Sequence, residues 1–403
     1  MKIRPEVKSA LEELGYAKPR KGQCKVINRI LDHKDTLLIA KTSFGKTLTA
    51  IIPAVIHRDR LTLIIEPLTV LMHEQVKELK DAGIKAAYLD STQSNTDKSI
   101  VYEKLENHKI AILYVSPERL GYLPDWIANQ VWLVVVDECH CVTLWGNAFR
   151  KAYSQIGLFV SRIREKPTIL AMSASAPPED YDEIAASLGM ERYKALCFDL
   201  YRSELHFLKY AASNRKEQLR LTIRMLRKYH KKGSIVFCST IEAVQSVAEK
   251  LERKYPNQVA VYYSKDKRSE QALLSGEKTI VVATNALAMG VDLPNVDLVI
   301  HFNMPSSISE YYQMAGRAGR NGQKAHDVLI YNPKDFYQQY SMIEQIREKR
   351  IRLQELERLE TVKALCENNE DCIVRQILRG LGQGKDTDCR YCTNCQKERR
   401  GQK

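Results

Sequence analysis

Three stretches combine residue types and spacings suited to handling a nucleoside triphosphate. Ala40-Lys41-Thr42-Ser43-Phe44-Gly45-Lys46-Thr47 follows directly on the apolar run 36–40 and leads into a helical pattern. Such a strand–turn–helix cradles phosphates on backbone N–H groups at the helix N-terminus, with Lys46 reaching the β/γ oxygens and Thr47 able to bind Mg²⁺. Two features depart from the usual form. Ala40 stands where the general pattern has glycine, and Ser43-Phe44 replaces residues that are often glycine. Further on, an apolar run over 132–136 ends in Asp137-Glu138. Two acids on the tip of a buried strand carry a desolvation penalty that a cation offsets. The pair suits Mg²⁺ binding by Asp137 and polarisation of an attacking water by Glu138. The third stretch is Gln313-Met314-Ala315-Gly316-Arg317-Ala318-Gly319-Arg320. Arg317 and Arg320, three apart, share one helix face, so either can oppose charge developing on a transferred phosphoryl group.

A fourth pattern points to a metal. Cys372, Cys389, Cys392 and Cys395 form C-x16-C-x2-C-x2-C. A CxxC step turns two sulfurs toward one ion, and four thiolates fit tetrahedral Zn²⁺. Cys366 is the spare candidate, ranked below Cys372, and a redox CxxC is the rival reading, here without thioredoxin-like surroundings. Cys24, Cys139, Cys141, Cys197 and Cys238 are scattered and read as small core residues. The asymmetry points to a reduced intracellular protein with one structural metal site rather than a disulfide framework. Trp145 and Phe149, with Arg150 and Tyr153 close behind, pair aromatics with a cation just beyond the acid pair. That combination suits base stacking on single strands, the alternative being that Trp145 is core.

The elements that must position these residues alternate along the chain. Short β-branched runs at 36–40, 61–67, 110–117, 132–137 and 168–174 form one set, and runs at 234–239, 259–264, 279–284, 298–303 and 327–332 form a second. Nearly continuous apolar strands, each followed by a helix, predict two tandem α/β domains with parallel sheets. The polar stretch 201–216 is the expected junction. After Asn332 the pattern becomes a charged amphipathic helix over 344–365 and then the Cys-rich segment. Length agrees: 403 residues favour two or three domains, and 44% hydrophobic with 28% charged residues excludes disorder. Sixty-two Lys+Arg against 49 Asp+Glu gives +13, which favours a polyanionic partner, nucleic acid first. No apolar run approaches bilayer length, and MKIRPEVKSALEEL reads as an amphipathic helix rather than a signal peptide. A cytoplasmic protein with no membrane partner is expected.

DECH at 137–140, SAS at 173–175 and QMAGRAGR at 313–320 resemble the ordered motifs of superfamily 2 helicases. LGYAKPRKGQ (14–23), PLTVLMHEQVKEL (67–79), YVSPERL (114–120), CVTLWGNAFRKAY (141–153) and ATNALAMGVDLPNVDLVIHFNMPSSISEYYQ (283–313) narrow the resemblance to the RecQ family. The Cys spacing, with Arg375 and Arg379 on a basic helix after the first Cys, resembles the RecQ zinc subdomain. The resemblance covers roughly residues 10–395. It implies two RecA-like domains, at 1–204 and 205–335, and a helical zinc-binding subdomain at 336–403. It further implies an ATP-driven 3′→5′ motor on single-stranded and tailed duplex DNA, using ATP, Mg²⁺ and Zn²⁺. By this resemblance Gln23 reads adenine and Thr42, Ser43, Phe44, Gly45, Lys46 and Thr47 bind nucleotide. Asp292 and Gln313 line the cleft, Arg320 is the arginine finger with Arg317 beside it, and His140 couples the ATP site to DNA. Three places depart from the family pattern: Phe44 in the phosphate loop, Leu144 before Trp145, and the four residues Tyr-Tyr-Ser-Lys at 262–265.

The expectation is thus a DNA-dependent ATPase and 3′→5′ DNA helicase, acting as a monomer. The sequence continues for eight residues past Cys395, without the winged helix and further helical domain that many RecQ proteins append. ATP hydrolysis and translocation are therefore firmer expectations than strand separation. A translocase or remodeller with little unwinding is the nearest alternative, and an RNA helicase another. An ATP-gated binding module without turnover would require damage to Glu138 or Arg320, and both are present.

Overall fold

The computed structural model describes residues 3–401 except 144–151, 264–276, 290–292, 294 and 385–387, with the backbone alone at 398–401. The chain forms two compact units, Met1–Asp199 and Leu200–Lys403. The first contains β1 (Thr36–Ile39), β2 (Leu61–Ile65), β3 (Ala86–Leu89), β4 (Ile112–Val115), β5 (Val131–Val136), β6 (Thr168–Ser173) and β7 (Lys194–Cys197). They lie in the order β3-β4-β2-β5-β6-β1-β7, with every pairing parallel. The five inner strands are buried at every position, as expected of strands covered by helices on both faces.

The second unit contains β8 (Leu205–Ala211), β9 (Gly233–Phe237), β10 (Val259–Tyr262), β11 (Ile280–Ala283), β12 (Val296–His301) and β13 (Ala325–Tyr331). Their order is β10-β11-β9-β12-β13-β8, again parallel throughout. Two tandem parallel-sheet domains of the RecA-like kind, followed by a helical C-terminal region, are therefore the fold.

Three strands were not marked by the sequence pattern: β3, β7 and β8. All three are sheet edges; β3 is four residues long with two alanines, and β7 and β8 interleave lysine or histidine with apolar residues. β7 reads KALC with two exposed positions. β8 lies inside the polar stretch 201–216, and that stretch is no linker: seven residues of β8 pair with β13. Past the second sheet, helices Pro333–Glu344 and Lys349–Glu367 are separate, so the continuous helix expected over 344–365 begins only at Lys349. Helices Ile373–Gly380 and Thr393–Gly401 follow. Among the described residues, no helix is long and apolar enough to cross a membrane.

Candidate nucleotide and metal sites

The phosphate loop leaves the C-terminal end of β1, turns through a short helical segment at Thr42–Phe44, and enters helix Lys46–Ile56. Gly45 makes the turn at φ 77°, and a Cβ there would stand 2.8 Å from the Gln23 amide nitrogen. Only glycine meets both demands. Gln23, 1% exposed, braces the loop: Nε2 donates to the carbonyls of Phe44 and Gly45 at 3.0 Å each. Its Oε1 accepts from the Arg20 N–H at 2.7 Å, and the Arg20 guanidinium donates to the Ser43 carbonyl. Phe44, the bulky departure from the family pattern, folds inward. It is 8% exposed and stacks on Phe198 with centroids 4.7 Å apart. Thr42 and Ser43 are exposed, and Thr47 is half-buried at the start of the helix.

Lys46 is buried and donates to the Ala40 carbonyl at 3.3 Å. It sits among acids. Asp137 and Glu138 extend from β5, and Glu66 extends from the neighbouring β2, where Ile65 pairs with Val136. Burial, then the Glu138 charge, pushes the Asp137 carboxyl up to about 6. Glu66 is 2% exposed, and burial followed by the Asp137 and Glu138 charges raises it well above the usual range. Lys46 opposes both shifts. Buried acids that raise one another in this way, with Lys46 opposing the shift, make a donor set that would suit a divalent cation such as Mg²⁺. Sequence reading missed Glu66 because a single acid after an apolar run resembles any strand end; only the β2–β5 register sets it beside Asp137.

Glu138 adopts φ 47°, ψ 42°, a left-handed conformation that costs a non-glycine residue about 1–3 kcal/mol. The Glu138 N–H donates to Asp137 Oδ1 at 2.8 Å, which fixes the turn. His140, 2% exposed, holds Glu138 at 3.3 Å and Ser173 Oγ at 3.2 Å through Nδ1. Burial works against its charge, but the Cys141 sulfur and the Glu138 carboxylate hold His140 above the ordinary histidine value. The tip of β5 and the SAS motif at the end of β6 are thus one hydrogen-bonded unit. Tyr153 adds a further link, its hydroxyl donating to the Asp137 carbonyl at 2.8 Å. Trp145, Phe149, Arg150 and Leu144 fall outside the described residues, as does Asp292.

In the second unit Arg317 is 8% exposed and donates to the Ala288 carbonyl of its own unit, whereas Arg320 is exposed and Gln313 half-buried. Arg202, 4% exposed, donates to the carbonyls of Gly316 at 3.0 Å and Ala318 at 2.7 Å, holding the arginine-bearing turn. Sequence reading gave Arg202 no role, since it lies in the stretch taken for a junction.

The four thiols of Cys372, Cys389, Cys392 and Cys395 are buried with all sulfurs within 4.8 Å of one another. Tetrahedral Zn–S bonds of about 2.3 Å place sulfurs roughly 3.8 Å apart, and Cys392 lies 4.0 Å from Cys372 and 3.4 Å from Cys395. Backbone N–H groups of Ile373, Cys389, Cys392 and Cys395 point at these sulfurs, as suits thiolate ligands. The residues fit zinc. Cys366 stands outside the group, and burial pushes its thiol up to about 12.

Comparison with known proteins bears on all of this. Residues 20–184 match the DEAD/DEAH box helicase family model, 217–322 the helicase conserved C-terminal domain, and 333–396 the RecQ zinc-binding domain. The ATP-dependent DNA helicase RecQ of Bacillus subtilis is 34% identical over 395 residues, 94% of this chain and 65% of that protein. The chain therefore spans about two thirds of that relative's length. Among solved structures, the DUF1998 helicase MrfA bound to DNA has a TM-score of 0.66 at 21% identity, over 82% of this chain and 51% of its own. The DEAD-box helicase Mss116 bound to ssRNA and UDP-BeF has a TM-score of 0.67 at 16% identity, over 94% and 89%. These two likenesses bear on the fold. Helicase-motif units followed by a RecQ-type zinc module, together with this sequence identity, place the chain in the RecQ family.

Proposed function

We propose that the protein is an ATP-dependent DNA helicase that moves 3′→5′ on single-stranded DNA. What supports this most is the convergence, at one end of the first sheet, of the phosphate loop, Lys46, Asp137 and Glu138. In this reading the loop 42–47 and Gln23 receive ATP, and Lys46 holds the β/γ phosphates. Thr47 and Asp137 hold Mg²⁺, which when bound neutralises phosphoryl charge. Glu138, set by its strained turn, orients the attacking water and takes its proton. Arg320 opposes charge on the transferred group, while Arg317 shapes its own turn. Asp292 and Gln313 contribute to nucleotide binding in this reading. Trp145, Phe149 and Arg150 stack and hold single-stranded DNA, and His140 links that loop to hydrolysis through Glu138 and Ser173.

The domain extents in this reading are 1–204, 205–335 and 336–403, in a monomer that works in the cytoplasm on single-stranded and tailed duplex DNA. The test is unwinding of 3′-tailed against 5′-tailed duplexes, with ATPase stimulation by single-stranded DNA and RNA measured alongside. Unwinding confined to 3′ tails and stimulation by DNA are expected. Unwinding of 5′ tails alone would overturn the polarity. Stimulation by RNA alone would overturn the substrate.

A further inference from the structure

A row of four rings crosses one end of the second sheet. His206 on β8 and His326 on β13 stand opposite one another in register, their rings edge to face at 5.6 Å. Tyr391, carried between Cys389 and Cys392, lies flat on His206 at 4.7 Å and 11°. On the other side Tyr229, the last residue of helix Arg215–Tyr229, stacks on His326 at 4.1 Å and 28°. Lys228 Nζ lies 4.9 Å from the Tyr229 centroid. Tyr391 is 49% exposed, while the other three rings are half-buried.

Cations surround this row. Lys228, Lys231, Lys324 and Arg390 are all exposed. The field of the three lysines reaches His326: burial first, then His206 and these lysines, pushes it down to about 4. The neighbouring acids are engaged elsewhere. Asp297 accepts the backbone N–H groups of Lys231 and Lys232, Glu204 pairs with Arg202, and Asp388 pairs with Arg375.

We infer that this ring-and-lysine surface docks single-stranded nucleic acid, one base stacking on the exposed face of Tyr391 and the phosphates running along Lys228, Lys231, Lys324 and Arg390. Cations alone would suit an acidic peptide equally. The exposed, ring-backed Tyr391 decides for nucleic acid, because every base offers a flat face to it. The histidines and Tyr229 hold Tyr391 in place from behind. This surface lies on the second unit alone and extends the proposed DNA activity to a second contact.

The test is the affinity of the full chain for a fluorescein-labelled 40-nucleotide oligo-dT, read by anisotropy without nucleotide across a salt series. Tyr391→Ala should weaken binding about fivefold, equivalent to about 1 kcal/mol, at the low end of one stacked base. Tyr391→Phe should restore wild-type affinity. The double variant Lys228→Glu/Lys324→Glu should weaken binding further and flatten the salt dependence by roughly 1.4, about 0.7 for each phosphate that is no longer neutralised. Zinc content and melting temperature identify any variant that has lost its fold. Should Tyr391→Ala shed zinc, the lysine variant, remote from the ligands, carries the test. Wild-type affinity and salt slope in folded variants would overturn the inference. So would poly-glutamate binding that the lysine reversal abolishes while oligo-dT binding stays intact. Failure of the wild-type protein to unwind or to respond to DNA, with Tyr391-dependent oligo-dT binding preserved, would overturn the proposed function and leave this surface standing.

Discussion

Gln23→Ala separates two roles for one side chain. As an adenine reader, Gln23 would need its amide for the base. In the structure Nε2 already serves two loop carbonyls and Oε1 the Arg20 N–H, all within 3.0 Å. Removing three hydrogen bonds at about 0.5–1.5 kcal/mol each, from a site 1% exposed, should cost roughly 2–3 kcal/mol. For a unit of this size, that lowers the melting temperature by about 5–10 °C. The phosphate loop would loosen at Phe44 and Gly45, so ATP and GTP should lose affinity together. The assay is calorimetric melting with titration of fluorescent ATP and GTP analogues. An unchanged melting temperature with selective loss of ATP binding would refute the bracing role and return Gln23 to base reading alone.

Four further outcomes are expected. Glu138→Gln should abolish steady-state hydrolysis while nucleotide binding survives, whereas Lys46→Ala should weaken binding itself; near-normal turnover in Glu138→Gln would remove this carboxylate from the chemistry. Arg320→Ala should lower turnover by about 10³-fold at unchanged melting temperature, whereas Arg317→Ala should first lower stability, because its guanidinium is buried on the Ala288 carbonyl; a reversed pattern would exchange their roles. Metal analysis should find one zinc per chain, lost with protease resistance in Cys392→Ser and retained in Cys366→Ser. Because the folded-state pKa of His326 lies near 4, below its ordinary 6.5, its contribution to stability is complete above about pH 6.5 and lost as pH falls toward 4. Melting temperature should therefore fall more between pH 7 and 5 in wild type than in His326→Gln, and parallel curves would contradict this.

The sequence by itself determined the two parallel sheets, the phosphate loop, the acid pair and the four cysteines that cluster. Each depends on a local signal: continuous apolar runs where both strand faces are covered, a Gly45-Lys46-Thr47 turn, and CxxC spacing that aims two sulfurs at one point. Strands β3, β7 and β8 carry no such signal, since β3 is four residues long with two alanines and β7 and β8 interleave lysine or histidine with apolar residues. Tertiary structure alone decided three further matters. Phe44, at odds with a glycine-rich loop in sequence, is accommodated because Phe198, more than 150 residues later, supplies a ring to stack on. Glu66 joins the acid pair because β2 and β5 are neighbours in register. Arg202, His206 and His326 acquire partners only once β8 pairs with β13, strands more than a hundred residues apart in sequence. These are contacts between distant segments whose distance and direction no local pattern encodes, because sheet order and register set them.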